Sequence, residues 1–430
     1  MNGLRGVALA AGLLLGIGGR ALGAQELSLA GALRQAERNS PRLKAARLQE
    51  LAAHKGVGVA RAGYYPSLSL QGIDSWGFPG SSGALGIGGL MGSPYRSEAA
   101  GGLLARSTLF DFGRTYSGVR AAQDLERLRR VGIDLERYAV DLDVLQTFYA
   151  CSRYRSEHEV WDGLYGATEL VAKEVLRFVD TGQRSVVDRY LSEAQVEEAR
   201  TNRNYFASRM NSTVSRLALL MGTDGRDLAC PALPQPGETV PLSPTDPVNP
   251  YVQQARTEVE LAKSRLLGAK TDYLPKIIGV ASVGAMEKVR LVDRADYSGG
   301  VGVVIPLFDG FGTVFQVGKA KAELAAKTHE LDAVQLQMDE LDAKYDEVID
   351  ASKARIEHLK REEKLAQEGF RVAKNRYFKF QGTLVDLRDA LRNLGRIETE
   401  MKETQADLLE ASGAKALLDG NLAAKLGLPD

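Results

Sequence analysis

A duplication that runs through most of the chain constrains its fold more than any other feature of the sequence. Asp111 and Asp309 lie 198 positions apart within nearly identical words, and Asp188 and Asp386 show the same spacing. A series of matched segments in the same order indicates an internal structural repeat. The matched segments are LFDFG at 109–113 with LFDGFG at 307–312, NSPRLKAAR at 39–47 with VNPYVQQAR at 248–256, and ARAGYYPSL at 60–68 with AKTDYLPKI at 269–277.

The duplication and the composition divide the 430 residues into four parts. At the start of the chain, Arg5 precedes an apolar run and then small residues up to Gln25, which is the pattern of a secretory signal peptide. We therefore expect the mature chain to leave the cytoplasm. The four predicted parts are a signal peptide at 1–24, a first repeat at 25–222, a Pro-rich linker at 223–249 and a second repeat at 250–428.

Each repeat is predicted to hold two β-strands. Pro66 and Pro275 stop the preceding helices, and the residues that follow alternate in character. The alternation is clearest in the last strand, where apolar residues share one parity and the other parity carries serine and glycine, as in a strand between lipid and a polar lumen. The predicted strands are 67–78, 98–110, 276–288 and 297–308.

Helices of unusual length are predicted after the strands. No proline occurs between Pro94 and Pro231 or between Pro306 and Pro429. Apolar residues spaced alternately by three and four, such as Leu128, Val131, Leu135 and Tyr138, indicate coiled-coil seams. The long helices are predicted at 113–181 and 312–380, each about 100 Å long.

Each long helix is expected to turn and to return as a shorter helix. The return helix of the first repeat, 185–221, is expected to be continued by the first helix of the second repeat, 250–272. The return helix of the second repeat, 384–419, is expected to be completed by the N-terminal helix of the first. The predicted architecture is a rod with two strand hairpins at one end.

Composition excludes several classes of function. Lysine and arginine number 55, as do aspartate and glutamate, so the net charge is zero and nucleic-acid binding is not expected. The four histidines and two cysteines form no metal-binding motif, and no catalytic or phosphate-binding motif is present in the sequence. We therefore predict no cofactor, no metal and no enzymatic activity. Cys151 and Cys230 form no CxxC motif and are expected to be two unpaired thiols, with a disulfide as the alternative.

Four strands are too few to close a barrel, which needs about eight. In lipid, an open sheet would leave unpaired N–H and C=O groups at its edges, at several kcal/mol each. If the strands cross a membrane, several chains must share one barrel; two chains would give eight strands and three would give twelve.

The sequence resembles the outer-membrane efflux proteins of TolC type across essentially the whole mature chain. The resemblance rests on the duplicated NSP/VNP, YYP/YLP and LFDFG/LFDGFG elements, and on the glycine-bearing turns before VVD and LVD. It implies a mainly α fold with a β membrane part, in which three chains share a 12-stranded barrel. It also implies a homotrimer in the outer membrane lipid, extending into the periplasm and docking with a periplasmic adaptor (membrane fusion) protein and an inner-membrane transporter.

The resemblance further implies a gate at the far end of the rod. Asp386 and Asp389 match two pore acids of the family, and Tyr377 matches a tyrosine that ties neighbouring coils together. Asp188 lies where the family places the acid that accepts this bond. Gly382 departs from the pattern, because the best-studied gate of the family has an arginine in this turn.

Two arginines, Arg184 and Arg388, are candidates to replace the missing one. The alternative for all these charges is a solvated helix surface with its caps. At the opposite end, aromatic and turn residues mark the expected junction between barrel and helices, either as an interfacial girdle or as a packed core. The junction residues are Phe110, Asp111, Phe112, Gly113, Phe308, Asp309, Phe311 and Gly312.

The function predicted from these features is a channel-tunnel of the outer membrane. It would export cargo from the periplasm or directly from an inner-membrane pump, and its periplasmic end would be gated. The sequence leaves the cargo open between small molecules and secreted proteins. The alternative function is a non-transport periplasmic coiled-coil scaffold or stalk.

Overall fold

The computed structural model describes residues 27–75, 98–225, 228–234, 249–285 and 296–420. The predicted signal peptide, part of the linker and the far ends of two predicted strands, 76–78 and 286–288, lie outside these residues. The elements are α1 (Leu29–Asn39), α2 (Pro41–Arg61), β1 (Ser67–Ser75), β2 (Glu98–Phe110), α3 (Arg114–Asp180), α4 (Val186–Met221), α5 (Pro250–Thr271), β3 (Lys276–Ala285), β4 (Asp296–Val304), α6 (Gly312–Phe378) and α7 (Leu384–Leu418).

The predicted fold class is confirmed. The order helix, strand, strand, long helix, helix occurs twice, and α3 and α6 each contain 67 residues. At 1.5 Å per residue each long helix extends about 100 Å. None of the described helices combines the length and the apolar character that crossing a membrane demands.

The four strands form one antiparallel sheet in the order β1-β2-β3-β4, so the hairpins of the two repeats pair through β2 and β3. Leu70, Leu103, Val283 and Tyr297 are successive partners across the sheet, and all four are exposed. In the neighbouring row, on the opposite face, Gln71 pairs with Gly102 and Gly102 with Gly284. One face of the sheet is therefore apolar along this row, as the alternation predicts.

The helices form a layer in which α3 and α6 run the full length of the rod. Near the sheet the neighbouring helices follow the order α2-α3-α5-α6, and towards the far end the order is α4-α3-α7-α6. The strand order explains this arrangement, because α5 precedes β3 and must lie between the helices that follow β2 and β4. Each return helix then packs on the same flank of its own long helix.

This packing contradicts the predicted continuation of the short helices. The helix next in line with α4 is α2 rather than α5, and the one next in line with α7 is α5 rather than the N-terminal helix. Side chains at both joints bind the ends of the return helices: Asn39 Nδ2 donates to the Met221 carbonyl at 2.6 Å, and Asn249 Nδ2 donates to the Leu418 carbonyl at 3.1 Å. The expectation was wrong because it matched helices by length alone. In the structure, the short helix before the strands of each repeat lies in line with the return helix of the same repeat.

The predicted seam of α3 is buried in part. Val131, Tyr138, Leu145 and Tyr149 are each less than a tenth exposed, and they face α2, α5, α4 or α7. The corresponding seam positions of α6 are only half-buried, for example Tyr345. The difference follows from position, because α6 lies at one edge of the layer in the single chain and α3 lies inside it.

The expectation of two unpaired thiols is wrong. Cys151 of α3 and Cys230 of the segment after α4 form a disulfide, with their Cα atoms 5.3 Å apart. The physical reason was available in the sequence: a chain with a secretory signal peptide enters a compartment where disulfides persist. The absence of a CxxC motif carries little weight, because structural disulfides commonly join residues far apart in sequence.

Candidate functional site

The first junction between strand and helix is formed by the LFDFG segment at 109–113. Asp111 Oδ1 accepts a hydrogen bond from the Gly113 N–H at 3.2 Å, and its Oδ2 accepts from the Thr115 N–H at 2.8 Å and from the Thr115 hydroxyl. Phe112 (φ +52°) and Gly113 (φ +93°) are both left-handed. The carboxylate therefore caps α3 while two left-handed residues redirect the chain from the sheet into the helix.

The second junction repeats this design with one exchange. Asp309 Oδ2 accepts from the Thr313 N–H at 2.8 Å and from the Thr313 hydroxyl at 2.5 Å. The left-handed residues are Gly310 (φ +67°) and Phe311 (φ +69°), so glycine and phenylalanine appear in the reverse order. Both words thus encode one acidic cap followed by a left-handed pair.

The junction phenylalanines pair with each other and remain accessible. Phe110 and Phe112 have ring centroids 4.6 Å apart, and Phe308 and Phe311 have centroids 5.4 Å apart, both in edge-to-face geometry. All four are exposed in the single chain. The rings thus lie on the surface of the single chain, and the interfacial girdle and the packed core at the barrel–helix junction both stay predictions.

The two turns at the far end of the rod share one backbone geometry. The Gly182 N–H donates to the Val179 carbonyl at 3.0 Å, and the Phe380 N–H donates to the Tyr377 carbonyl at 3.0 Å. Gly182 (φ +73°) and Phe380 (φ +62°) occupy equivalent left-handed positions that end α3 and α6. A phenylalanine is unusual at such a position, because a side chain makes this conformation costly.

The turns of the two repeats are joined by Tyr377 and Asp188. The Tyr377 side chain is fully buried, and its hydroxyl donates to Asp188 Oδ2 at 3.0 Å. Burial raises the pKa of Tyr377, the bond to Asp188 raises it further, and Arg184 acts in the opposite direction. The hydroxyl therefore stays protonated and remains a donor at physiological pH. The ring packs among Val171, Val175, Leu384 and Leu387.

Arg184 makes a second and larger connection between the turns. Its Nη2 donates to the Tyr377 carbonyl at 2.7 Å and to the Gly382 carbonyl at 3.1 Å. Its guanidinium lies 4.3 Å from the Tyr377 ring centroid and 5.1 Å from that of Phe380. One arginine of the first repeat thus binds two backbone carbonyls of the second turn. Gly382, the position at which an arginine was expected, supplies one of these carbonyls.

The acids of the second turn have local partners. Thr383 and Asp386 form a reciprocal capping box, each side chain accepting from the other's N–H at 3.1 Å. The backbone N–H of Thr383, helped by its hydroxyl, holds the pKa of Asp386 below its ordinary value. Asp389 accepts from Arg388 Nη2 at 2.8 Å. Asp386 and Asp389 are both exposed and point away from the buried Leu387.

The structure therefore brings three of the predicted site residues together, namely Tyr377, Asp188 and Arg184. Asp386, Asp389 and Arg388 do not take part in the contacts among these three residues. Sequence reasoning missed the contribution of Phe380, whose ring lies 5.1 Å from that of Phe178, and the capping threonine Thr383. The pattern Thr-x-x-Asp was a usable signal for the cap, whereas nothing in the sequence pointed to Phe380. Within the described ranges, no cluster of His, Cys, Asp and Glu could hold a metal ion.

Comparison with known proteins places the sequence in a family. The model of the outer membrane efflux protein family matches residues 32–223 and 248–421, which correspond closely to the two repeats. The chain belongs to the outer membrane efflux protein family. The expected efflux channel of the outer membrane, extending into the periplasm, is confirmed at this level, and the scaffold alternative is not favoured. Family and fold are those of non-enzymatic channel proteins.

Solved structures share the fold at low sequence identity. VceC from Vibrio cholerae is 18% identical, with a TM-score of 0.78 over 93% of this chain and 96% of that one. A membrane protein from Pseudomonas aeruginosa is 17% identical, with a TM-score of 0.80 over 100% and 97% of the two chains. The open state of the MtrE outer membrane channel from Neisseria gonorrhoeae is 18% identical, with a TM-score of 0.76 over 92% and 89%. Curated protein sequences gave no match.

Proposed function

We propose that this efflux-family chain forms an export channel whose periplasmic end is gated by its two helical turns. The observation that carries the proposal is the set of contacts through which Arg184 and Asp188 of the first repeat bind Tyr377 and Gly382 of the second. The two hairpins also pack through α3 and α7, but the few polar bonds between their turns can be exchanged for water at modest cost, since each contributes about 1 kcal/mol net. Such a connection suits a closure that has to open.

The channel itself is proposed to be a homotrimer. Among the described strands, β1 and β4 each pair on one side only, so the sheet has two open edges. In outer-membrane lipid these edges require partner strands. Three chains would join β4 of one to β1 of the next and close twelve strands, with the apolar row that includes Leu70 and Tyr297 towards the lipid.

The partners proposed for the other end are a periplasmic adaptor and an inner-membrane transporter. Apolar side chains at the start of α4 support a protein contact there, since Val186, Val187 and Tyr190 are each more than half exposed. An adaptor bound at this surface would lie directly beside Arg184 and Asp188. It would therefore be positioned to act on the contacts that hold the turns together.

Asp386 and Asp389 are proposed to set the ion preference of the mouth. Both are exposed in the single chain, and in a trimer they would form two rings of three carboxylates. A ring of like charges at a constriction attracts cations. Asp386→Ala with Asp389→Ala is expected to weaken cation selectivity while leaving the oligomer intact; unchanged selectivity would place these acids outside the pore.

The gate is tested by conductance of the purified channel in planar bilayers. Tyr377→Phe removes only the hydroxyl that binds Asp188, so the open fraction is expected to rise. Tyr165→Phe is the matched control, because the Tyr165 hydroxyl donates to Glu169 within α3 and joins no second hairpin. Equal conductance of the Tyr377→Phe variant and the control would refute the gate. Crosslinking in detergent to a species other than a trimer would refute the shared barrel.

A further inference from the structure

The disulfide between Cys151 and Cys230 closes the base of one hairpin. The two cysteines are 79 positions apart, and the enclosed stretch contains the far part of α3, its turn and all of α4. The bond therefore fastens the segment that follows α4 onto the helix with which α4 pairs. It lies at the end of the hairpin opposite to the turn that carries Arg184.

The bond is also sealed inside the protein. Cys151 is 0% exposed and Cys230 is 4% exposed. Arg155 Nη1 donates to the Cys230 carbonyl at 2.8 Å, and Leu228 and Leu233 pack against the main core cluster on either side of the cysteine. The segment 228–234 is thus held down by the bond, by a charged hydrogen bond and by two apolar contacts.

We propose that Cys151 and Cys230 are an enzymatic oxidation site, used in the periplasm before segment 228–234 packs. The partner is a periplasmic protein that carries an exchangeable disulfide. Once the segment is packed, neither sulfur is within reach of another protein, because exchange requires direct approach of a thiolate to the sulfur it attacks. The inference concerns maturation of the chain and is independent of the proposed gate.

The chemistry is two successive thiol–disulfide exchanges. The thiolate of one cysteine attacks a sulfur of the partner's disulfide, forming a mixed disulfide and releasing one partner thiolate. The thiolate of the second cysteine then attacks the sulfur of the first, which forms the Cys151–Cys230 bond and releases the other partner thiolate. The chain loses two electrons and two protons, and the partner gains both electrons and leaves as a dithiol.

The position of the cysteines sets the order of events. They lie 79 positions apart at the base of the α3–α4 hairpin, so the folding of α4 back along α3 brings them together. Oxidation must nevertheless precede the packing of Leu228 and Leu233, which covers the sulfurs. The partner is therefore expected to act on a chain whose first hairpin has paired and whose linker segment is still free.

The second hairpin shows what the first would be without the bond. Ile349 occupies the position equivalent to Cys151, 198 residues later, so no disulfide is available there. The base of that hairpin is held instead by Lys415, which pairs with Asp342 at 3.1 Å and with Asp346 at 2.5 Å. The oxidation requirement therefore belongs to the first repeat alone.

The test follows thiol state and folding of the wild-type chain in intact cells, with and without the periplasmic dithiol oxidase. Newly made chains are pulse-labelled, quenched with acid and alkylated with a reagent that shifts each free thiol on a gel. We expect oxidised chains to appear before protease-resistant chains in normal cells. In cells without the oxidase, thiols should persist and the protease-resistant fraction should be largely lost. Equal oxidation rates in the two strains would overturn the proposal.

Two further measurements separate a sealed bond from the alternatives. Folded wild-type protein treated with a reductant should keep its bond until denaturant is added; reduction of the folded protein would show that the sulfurs are accessible and would overturn the proposed order. The Cys151→Ser, Cys230→Ser double variant should yield the same protease-resistant fraction in both strains. Dependence of this variant on the oxidase would show that the enzyme acts elsewhere and would also overturn the proposal.

Discussion

The two repeats are alike at the sheet end of the rod and differ at the far end. At the sheet, both repeats use the same device: an aspartate caps a helix and two left-handed residues follow it, with only the order of phenylalanine and glycine exchanged. At the far end the two turns keep the same backbone but carry different side chains. Arg184 corresponds to Gly382, and Gly182 corresponds to Phe380.

The contacts explain the contrast. Each junction joins a strand to a helix within its own repeat. Both copies therefore perform the same task, and nearly the same sequence segment occurs at both junctions. The turns contact each other, and a contact between two copies requires complementary partners: one turn supplies the guanidinium and the other the carbonyls and rings. In this chain the two repeats therefore match at the junctions, where each copy acts within itself, and differ at the turns, where the two copies contact each other.

The largest effect is expected from removing both junction caps. Asp111→Ala and Asp309→Ala each delete a carboxylate that accepts from a backbone N–H and a threonine hydroxyl. Each should lower the free energy of unfolding by about 1–2 kcal/mol. Because the sites are independent, the double variant should lose about 2–4 kcal/mol. Denaturant titration of the purified protein measures these losses.

If the two junctions are equivalent, the two single variants should lower the free energy of unfolding by nearly the same amount. Asp332→Ala is the control, since this acid lies on the exposed surface of α6 beside His329. Its replacement should change the unfolding free energy by less than about 0.5 kcal/mol. A large loss from one junction variant and none from the other would show that the repeated words perform different tasks.

A smaller effect, confined to the second turn, is expected from Arg184→Ala. The change removes two charge-assisted hydrogen bonds and two cation–ring contacts from the second turn, at a cost of about 1.5–3 kcal/mol. Amide hydrogen exchange should accelerate at residues 377–383 and conductance should rise. Arg189→Ala is the control, because Arg189 pairs with Glu193 within α4. Equal acceleration in both variants would mean that Arg184 does not hold the second turn.

The local rules of the fold were readable from the sequence. Pairs such as Asp111 and Asp309 revealed the duplication, and the absence of proline over long stretches predicted the long helices. The stacking of the short helices was not predictable by length, because α2 and α5 are similarly long and only the strand order decides which lies where. The disulfide was missed because spacing was given more weight than the compartment implied by the signal peptide.

The candidate site was predictable where it follows a family pattern and not where it departs from it. Tyr377 and Asp188 were found through the resemblance to the family, and the structure places them in contact. The contacts of Arg184 could only be a hypothesis, because they depend on two carbonyls that the sequence does not single out. Phe380 was missed because its left-handed conformation contradicts the preference of its side chain, and tertiary contacts overrode that preference.

Phe380→Ala sharpens the comparison at the equivalent left-handed position. Alanine keeps a side chain there, so most of the backbone strain remains and the ring contacts with Phe178 and Arg184 are lost. The expected cost is about 1 kcal/mol, with a rise in conductance. Gly182→Ala should cost a similar amount through its positive φ, but no neighbour lies within 4 Å of an added Cβ there, so conductance should not change. A rise in conductance for both variants would remove the proposed asymmetry between the turns.

The smallest expected effect is a pH dependence that is stronger at the second turn than at the first. The pKa of Asp386 is held below its ordinary value by the N–H and hydroxyl of Thr383, so the ionised acid stabilises the start of α7. For a lowered pKa the stabilisation is complete above the ordinary value of about 4 and is lost as the pH falls through the lowered one. Amide exchange at 384–387, corrected for its intrinsic pH dependence, should therefore lose protection as the pH is taken from 6 to 3. Asp386→Asn should show no such loss over this range. The start of α4 is capped by the neutral hydroxyl of Ser185, and its own first-turn acid, Asp188, accepts from the Tyr377 hydroxyl, so protection there should fall less than at the start of α7. If α4 and α7 lost protection in parallel, the acid response would belong to the whole rod and not to the cap that distinguishes the second turn from the first.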